Sequence, residues 1–327
     1  MIGVPATIRP PCQSCFVFCE VSETSWTGSK ICLLIDEYFS AVETMTPEIC
    51  RNNADLRRIL VMYRCEKKSV ALVPTMGFLH EGHGALIRKA AELAEIVVVS
   101  IFVNPLQFGP NEDLARYPRD FDKDIKLAAE CGAQLIFTPA TVEFTPPDMT
   151  MQVTPGAMAD VLCGRSRPGH FDGVCTIVTK LFNVVQPDSA VFGWKDAQQF
   201  LILSRMVKDL DFPIEMVGVE TVREPDGLAM SSRNTYLSQR ERDEAPVLQT
   251  ALAEARRLAV YDGELAADYL KDLVERRIRE GTRSEIDYVE MVSLDGLRPL
   301  SKVEPGNTLL AVAVQFPSAR LIDNVRF

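Results

Sequence analysis

The feature that most constrains the fold of this chain is the alternation of short apolar strands with helices between residues 70 and 222. Residues 70–74 and the β-branched run 96–103 are typical of strands that are buried on both faces. Residues 174–185, by contrast, place apolar side chains at helical spacing. This alternation favours an open, mostly parallel sheet with helices on both faces. We therefore predict an α/β fold with a Rossmann-like, doubly wound parallel sheet.

The order of the predicted elements changes near residue 222. Two helices are predicted near 242–259 and 264–280, and three strands follow near 285–292, 308–316 and 320–325. Consecutive strands without an intervening helix favour antiparallel pairing. We predict a Rossmann-like nucleotide-binding domain over residues 45–221 and a smaller C-terminal α+β lid domain over residues 222–327. Residues 1–44 have no sustained periodicity, and we predict that they form an N-terminal extension outside the core fold.

Composition argues against several classes of protein. With 35 Lys and Arg residues against 45 Asp and Glu residues, the formal net charge is −10, so we expect no nucleic-acid or membrane partner. The apolar runs are interrupted well short of the ~20 residues that a transmembrane helix needs. The leader does not have the pattern of a signal peptide. We therefore expect a cytoplasmic protein.

The nine cysteines predict neither a disulfide framework nor a metal site. Their number is odd and the later ones are scattered. Cys12, Cys15 and Cys19 have the spacing at which a metal site can begin, but no second cluster follows at a suitable distance. We expect no metal ion held directly by protein side chains.

The strongest local signal for chemistry is the sequence PTMGFLHEGH at residues 74–83, between a predicted strand and the next helix. In a parallel sheet that position lies at the carboxyl edge, where ligands bind. Its glycines permit close approach of the backbone, and the helix N-terminus offers N–H groups to a phosphate. His80 and His83 can donate hydrogen bonds to phosphate oxygens. The segment predicts nucleotide binding; an ordinary pair of loop histidines is the competing interpretation.

Three further segments carry polar groups at strand ends or in flexible loops. MSSRN at residues 230–234 offers hydroxyls and a guanidinium, which suit a mobile clamp over a triphosphate. FGWKDAQQ at 192–199 places Lys195 where it can neutralise phosphate charge. NPLQF at 104–108 places Gln107 where it can bind a hydroxyl or a carboxylate. Taken singly, these segments also fit a capping turn, a surface ion pair and a loop glutamine.

A fourth segment, RSRPGHFD at residues 165–172, adds two arginines and the third histidine of the chain. Such residues can belong to a lid, but a solvated loop is the commoner explanation for each of them. We therefore assign no site residue to this segment.

Together these motifs resemble those of the pantoate–β-alanine ligase family, also called pantothenate synthetases. The segments PTMGFLHEGH, FVNPLQFGPNEDLARYPR, RPGHFDGV, FGWKDAQQ and DGLAMSSRNTYLS match the family in order and spacing, from about Met45 to the carboxyl end. The HxGH element alone indicates only the nucleotidylyltransferase superfamily. Because Met45 stands where a chain of this family would begin, a misassigned translation start is one explanation of residues 1–44.

The resemblance implies ATP-dependent condensation of (R)-pantoate with β-alanine to pantothenate, through a pantoyl-adenylate, with release of AMP and pyrophosphate. It implies ATP as a substrate, Mg²⁺ bound through the ATP phosphates, and a homodimer. The catalytic residues that it implies are His83, His80, Lys195, Ser231, Ser232 and Arg233. The ATP-binding residues that it implies are Met76, Gly77, Phe78, Leu79, His80, Glu81, Gly82, His83, Gly193, Trp194, Lys195, Asp196, Val222, Met230, Ser231, Ser232 and Arg233. Gln107 would bind pantoate and later β-alanine, and Gln199 would bind pantoate.

Two residues depart from the family pattern. The family often has Glu where Trp194 stands, and an aromatic residue where Ala197 stands. Trp194 can either line the nucleotide pocket or only pack. Ala197 removes bulk near the two glutamines that follow it, so the shape of the pocket there is an open question.

Three other functions compete with the ligase. An adenylyl- or cytidylyltransferase would share the HxGH loop and the SSR segment, but it gives no reason for the glutamines at 107 and 199. A tRNA-charging enzyme is disfavoured by the acidic balance and by the absence of a basic, aromatic-rich appendage. A catalytically silent nucleotide-binding module should have lost one of the polar site residues, and all of them are present.

Overall fold

The computed structural model describes residues 46–327 except Asn111 and Glu264, and every structural statement below concerns those residues. The predicted extension and its cysteines lie outside them. The α-helices are α1 (Asn53–Cys65), α2 (Glu81–Leu93), α3 (Phe121–Glu130), α4 (Thr141–Phe144), α5 (Leu162–Ser166), α6 (His170–Val185), α7 (Ala197–Asp209), α8 (Gln239–Glu244), α9 (Val247–Tyr261) and α10 (Ala267–Gly281). The strands are β1 (Glu48–Cys50), β2 (Val70–Thr75), β3 (Ile96–Ile101), β4 (Leu135–Phe137), β5 (Ser189–Gly193), β6 (Glu215–Val219), β7 (Glu285–Ser293), β8 (Thr308–Gln315) and β9 (Arg320–Arg326).

Strands β1 to β6 form one parallel sheet in the order β1-β4-β3-β2-β5-β6. Strands β2 and β3 lie at its centre, and Val70 to Val73 are fully buried because helices cover both faces. This arrangement confirms the predicted α/β class with a doubly wound parallel sheet. Sequence analysis missed β1, because three residues carry too little periodicity to predict a strand and only the pairing with β4 defines it.

A side chain caps the N-terminus of helix α1. The side chain of Asn52 caps α1 by accepting a hydrogen bond from the backbone N–H of Asp55 (2.9 Å), which satisfies an N–H that has no partner within the helix. The predicted helix near 242–259 is two helices, α8 and α9. Pro246 stands between them, where its ring and missing N–H oppose a continuous helix.

The C-terminal part contains the predicted antiparallel sheet, in the order β7-β8-β9. One face of this sheet packs on α9 and α10 through residues such as Val312 and Val314. The other face contributes Tyr288, Val292 and Leu309 to the apolar core of the parallel sheet. Burial on both faces explains why the sequence of β8 is a nearly continuous apolar run. The proposed boundary near residue 222 stays a prediction.

The parallel sheet positions the motifs identified in the sequence. The HxGH loop follows β2, the NPLQF segment follows β3, and the KDAQQ segment follows β5, so all three emerge at the same carboxyl edge. Among the described helices none is long and apolar enough to cross a membrane.

Candidate active site

A cavity of about 230 Å³ opens at the carboxyl edge of the parallel sheet. Most of the residues implied by the family resemblance line it: Met76, His80, Gly82, His83, Gln107, Gly193, Lys195, Asp196, Gln199, Val222, Met230, Ser231, Ser232 and Arg233. Five do not: Gly77, Phe78, Leu79, Glu81 and Trp194. Segments separated by up to about 150 residues in the sequence thus meet around one space, as the topology of a parallel sheet allows.

The HxGH loop presents two neutral imidazoles to this cavity. His80 is the N-cap of α2, and its Nδ1 accepts a hydrogen bond from the backbone N–H of Gly82 (3.1 Å). The Nδ1 of His83 accepts from the backbone N–H of His80 (3.2 Å). Because both Nδ1 atoms are acceptors, each ring carries its proton on Nε2. The rings stand 4.1 Å apart, centroid to centroid.

Burial keeps both histidines neutral at pH 7. Burial is the main cause that lowers the pKa of His80 to about 4, and the positive charge of Lys195 lowers it further. Burial is also the main cause that lowers the pKa of His83 to about 3, and the electrostatic effect of His80 is the second cause. A neutral Nε2–H can still donate a hydrogen bond to a phosphate oxygen. The geometry of the pair depends on Gly82, since a Cβ there would lie 2.8 Å from the ring of His80.

Asp124 on α3 supports the HxGH loop through hydrogen bonds. The sequence analysis did not identify this residue. Its carboxylate accepts hydrogen bonds from the backbone N–H groups of Phe78 (2.9 Å) and Leu79 (2.6 Å). The side chain is only 2% exposed, and burial raises the pKa of this carboxyl. An acidic residue in the first turn of a helix has an ordinary explanation in the helix dipole, so the sequence held no signal for this second role.

The segment around Ser231 to Arg233 connects the C-terminal part to the HxGH loop. The hydroxyl of Ser232 donates to the backbone carbonyl of Phe78 (3.3 Å). The guanidinium of Arg233 donates to both carboxylate oxygens of Asp113, at 3.1 and 3.0 Å. Burial opposes ionisation of Asp113, but Arg233 outweighs it and holds the pKa of that carboxyl below its usual value. Arg233 therefore enters the cavity wall with its orientation fixed by a carboxylate.

Lys195 lines the cavity, whereas its neighbour Trp194 packs away from it. The indole of Trp194 lies edge-on to Phe200, with centroids 4.5 Å apart, and beneath the guanidinium of Arg326 at 3.9 Å. The side-chain amide of Asn324 on β9 donates to the carbonyls of Trp194 (2.8 Å) and Lys195 (3.1 Å). Of the two alternatives for Trp194, the structure favours packing.

Ala197 is buried at the start of α7 and lines a smaller cavity of about 80 Å³ next to the main one. The two glutamines that follow it differ in environment. Gln199 reaches the main cavity. Gln198 turns inward, where its amide accepts from the N–H of Cys163 (2.9 Å) and donates to two backbone carbonyls. Only Gln199 is therefore placed to contact a ligand in the main cavity.

Gln107 belongs to a short 3₁₀ turn, Pro105–Gln107, after β3. Its side-chain oxygen accepts a hydrogen bond from the amide of Asn104 (3.0 Å), and its Nε2 lies 3.1 Å from the sulfur of Met76. The amide of Gln107 thus has its oxygen engaged and its N–H donors on the side of the cavity.

The interpretation of residues 165–172 as a solvated loop was wrong for two of them. Arg167 and His170 are 16% and 9% exposed, and both line the cavity. Arg167 forms a bidentate ion pair with Glu112, at 2.7 and 2.5 Å. Arg165, by contrast, is exposed and pairs with Glu290 on β7. Their partners outside this segment, Glu112 and Gln107, lie more than 50 positions away, so no local pattern could indicate them.

No group of three or more His, Cys, Asp or Glu side chains that could hold a metal ion occurs in the part of the chain that the structure describes. The charged side chains that line the cavity are those of Arg167, Lys195, Arg233, Asp196 and Glu220. This combination of three cationic and two anionic side chains suits an anionic ligand that binds together with its own counterion.

Comparison with known proteins agrees with the geometry. The model of the pantoate–β-alanine ligase family matches residues 48–326. The pantothenate synthetase of Geobacillus thermodenitrificans is 54% identical over 83% of this chain and 93% of its own length. That of Desulfitobacterium hafniense is 51% identical over 84% of this chain and 97% of its own length.

Solved structures lead to the same family. The pantothenate synthetase of Thermus thermophilus superposes with a TM-score of 0.80 at 45% identity, over 85% of this chain and 99% of that chain. The pantoate–β-alanine ligase of Francisella tularensis, complexed with β-γ ATP and β-alanine, has a TM-score of 0.70 at 29% identity, over 86% of this chain and 97% of that chain. A match of this extent, together with a cavity built from the same motifs, leads to one conclusion: the chain belongs to the pantoate–β-alanine ligase family.

Proposed function

We propose that this protein condenses (R)-pantoate with β-alanine at the expense of ATP, giving pantothenate, AMP and pyrophosphate. In the first step a carboxylate oxygen of pantoate attacks the α-phosphorus of ATP, and pyrophosphate leaves. In the second step the amine of β-alanine attacks the carbonyl carbon of the pantoyl-adenylate. AMP then leaves with the bridging oxygen, and the amine loses a proton. The substrate supplies the nucleophile in both steps, so no side chain becomes covalently attached.

The observation that carries this proposal is the meeting of four segments, 74–83, 104–108, 192–199 and 230–234, around one cavity. The HxGH loop, Lys195 and the Ser231–Arg233 segment supply donors and positive charge to the cavity wall. Gln107 and Gln199 add side-chain amides to the same wall. The reaction needs this combination, because two anions that repel each other must be held together while negative charge moves onto pyrophosphate. A nucleotidylyltransferase that stops at the nucleotide conjugate offers no role for the two glutamines.

We assign ATP to the part of the cavity lined by Met76, His80, Gly82, His83, Gly193, Lys195, Asp196, Val222 and residues 230–233. The Nε2–H groups of His80 and His83 would donate to phosphate oxygens, with His83 nearest to the charge that develops on the leaving group. Lys195 and Arg233 would stabilise the transition state electrostatically. Glu81 is exposed and pairs with Arg88, so we assign its contribution to the stability of the loop rather than to contact with ATP.

Pantoate belongs on the side of Gln107 and Gln199. Val174, Ile177 and Leu181 on α6 also line the cavity and offer an apolar surface to the carbon skeleton of an acid. The N–H donors of Gln107 would bind the hydroxyl or the carboxylate of pantoate, and they would contact β-alanine later.

Mg²⁺ fits this site as a counterion of ATP. The described cavity wall offers Asp196 and Glu220 as isolated carboxylates rather than a ligand cluster, so the phosphates themselves would hold the ion. When bound, it would offset the charge of the phosphates and orient them.

Residues 222–327 would act as a lid domain in this proposal. The hydrogen bond from Ser232 to Phe78 already connects the two parts at the cavity. Closure would keep water from the pantoyl-adenylate, which hydrolysis would otherwise consume. On the family resemblance we also propose that the protein is a cytoplasmic homodimer; light scattering on the purified chain would measure its mass in solution.

The test is ³¹P NMR of the products from ATP, Mg²⁺, pantoate and β-alanine, with omission of each substrate in turn. The proposal predicts AMP and pyrophosphate in equal amounts, with turnover only when all substrates are present. ADP and orthophosphate would contradict it. Multiple turnovers to AMP without pantoate would contradict it as well.

A further inference from the structure

His170 is the one histidine of the chain without a part in the proposed chemistry. It begins α6 at the wall of the cavity and is 9% exposed. Its Nδ1 lies 2.8 Å from the backbone carbonyl oxygen of Gln107. Its Nε2 lies 3.0 Å from Nη1 of Arg167. Both ring nitrogens are therefore engaged, one of them by a residue that we place against pantoate.

The partners of the ring determine its tautomer. A guanidinium has donors only, so Nε2 of His170 must accept from Arg167. A neutral imidazole then carries its proton on Nδ1, which donates to the carbonyl of Gln107. Burial, followed by the charge of Arg167, lowers the pKa of His170 to about 4, so the ring is neutral at pH 7. This is the opposite tautomer to that of His80 and His83.

The turn that carries Gln107 depends on such outside support. It is a single 3₁₀ turn of three residues, and the backbone hydrogen bond from Gln107 to Asn104 is long, at 3.5 Å. Short 3₁₀ segments have poor hydrogen-bond geometry and add little stability of their own. The turn is held by its contacts with α6 instead.

Those contacts are close. The amide of Asn104 donates to the carbonyl of Gly173 in the first turn of α6 (3.1 Å). A Cβ on Gly173 would lie 2.2 Å from the carbonyl oxygen of Leu106, so the backbone of the turn rests directly on the helix. Arg167 also donates to the carbonyl of Gln107 (3.3 Å), and Glu112 fixes Arg167 in turn. His170 makes the shortest polar contact in this group that reaches Gln107 itself.

We propose that His170 is a positioning residue that acts through Gln107. Its Nδ1–H group holds the Gln107 carbonyl, and thereby keeps the N–H donors of the Gln107 side chain directed at pantoate. Displacements of about 1 Å in a group that orients a substrate can lower rates by two orders of magnitude. The inference rests on the proposed function, since it assumes that Gln107 binds pantoate.

Two isosteric replacements separate the two ring nitrogens. In His170→Asn the side-chain amide nitrogen occupies the position of Nδ1 and can still donate to Gln107. In His170→Gln the amide reaches the position of Nε2 instead, and the Gln107 carbonyl loses this donor. We expect His170→Gln to raise the KM for pantoate about tenfold, the usual effect of one lost hydrogen bond, and His170→Asn to raise it less than about threefold. The KM for ATP should change less than about twofold in both.

A double-mutant cycle tests whether the effect passes through Gln107. In a Gln107→Ala background, His170→Gln should change the KM for pantoate by less than about twofold, because the side chain to be positioned is gone. Three results would overturn the inference: equal defects in the Asn and Gln variants, equal changes in the KM values for pantoate and ATP, or full additivity with Gln107→Ala. Failure of the unaltered protein to form pantothenate would instead contradict the proposed function.

The tautomer can be measured in the unaltered protein, so the inference does not depend on the folding of any variant. Long-range ¹H–¹⁵N spectra of the ¹⁵N-histidine-labelled chain distinguish protonated from bare ring nitrogens. At pH 7 we expect His170 to be protonated on Nδ1, with His80 and His83 protonated on Nε2. The chain has three histidines, so a spectrum in which no ring is protonated on Nδ1 would overturn the inference.

Discussion

Replacing Asp124 by Asn tests how the fold holds the HxGH loop. The substitution keeps the size of the side chain but leaves it one acceptor oxygen instead of two. Because the carboxylate accepts from two backbone N–H groups, those of Phe78 and Leu79, the new NH₂ group must face one of them. One hydrogen bond is lost, and the new NH₂ group faces a backbone N–H group, donor against donor, at a position that is only 2% exposed.

The magnitude follows from two opposing effects. A hydrogen bond to a charged group contributes about 1.5–3 kcal/mol, and an unsatisfied buried donor costs about 1–3 kcal/mol. Removing the charge offsets part of this loss, because burial already raises the pKa of Asp124 and so disfavours the carboxylate. We expect the free energy of unfolding to fall by about 1–2 kcal/mol.

The same change should affect catalysis, because the loop has little support of its own. Gly77 and Phe78 have φ values of 81° and 51°, in the left-handed region, which is unfavourable for Phe78. Without the brace the loop should relax and move the imidazoles of His80 and His83. We expect pantoyl-adenylate formation to fall by at least about tenfold.

Asp122→Asn is the matched control. Asp122 lies in the first turn of the same helix but is exposed, so its replacement removes the same interaction with the helix dipole without touching the loop. Urea unfolding and single-turnover formation of labelled pantoyl-adenylate measure the two effects. Equal behaviour of Asp124→Asn and Asp122→Asn in both assays would refute the reasoning.

Three further predictions concern the cavity wall and its histidines. Gly173→Ala should destabilise the fold by about 1–3 kcal/mol in calorimetry and raise the KM for pantoate, because its Cβ would meet the backbone of Leu106; an unchanged KM would show that the turn does not rest on this helix. His83→Ala should lower the adenylation rate about 10²-fold or more while pantoate binding is nearly unchanged, and a single-turnover rate within a few-fold of the unaltered protein would disprove its role. The pKa values of His80 and His83 lie below the ordinary value of 6.5 in the folded state, at about 4 and 3, so the unfolded chain takes up protons first as the pH falls. The contribution of the two neutral histidines to stability is complete above pH 6.5 and is lost between pH 6.5 and about 3. In urea unfolding across this range, the free energy of unfolding of His83→Gln should fall less with acid than that of the unaltered protein. Identical pH profiles of the two proteins would contradict this.

The elements that sequence reasoning predicted correctly are those whose own residues determine them. Strands β2 and β3 are continuous apolar runs, and these runs predicted them. Strand β1 has no such signal, because its identity depends on its partner β4. Local pattern therefore predicts central strands well and short edge strands poorly.

The site residues also fall into those that local sequence indicates and those that depend on distant partners. The motif residues around the cavity were predicted from short segments and from the resemblance of these segments to the ligase family. Asp124 and His170 were not, because their roles come from backbone groups 45 to 63 positions away. Gln198 and Gln199 are adjacent in the sequence, but successive residues of a helix point about 100° apart, and only burial in the fold decides which one faces the ligand.

In the proposed reaction the carboxylate of pantoate becomes bonded to the α-phosphorus of ATP. Pantoate labelled with ¹⁸O in both carboxylate oxygens tests this directly, with mass spectrometry of the products after complete turnover. We expect one ¹⁸O atom in each AMP and one in each pantothenate, because AMP leaves with the bridging oxygen. Unlabelled AMP, with the ¹⁸O in pyrophosphate or orthophosphate instead, would contradict it.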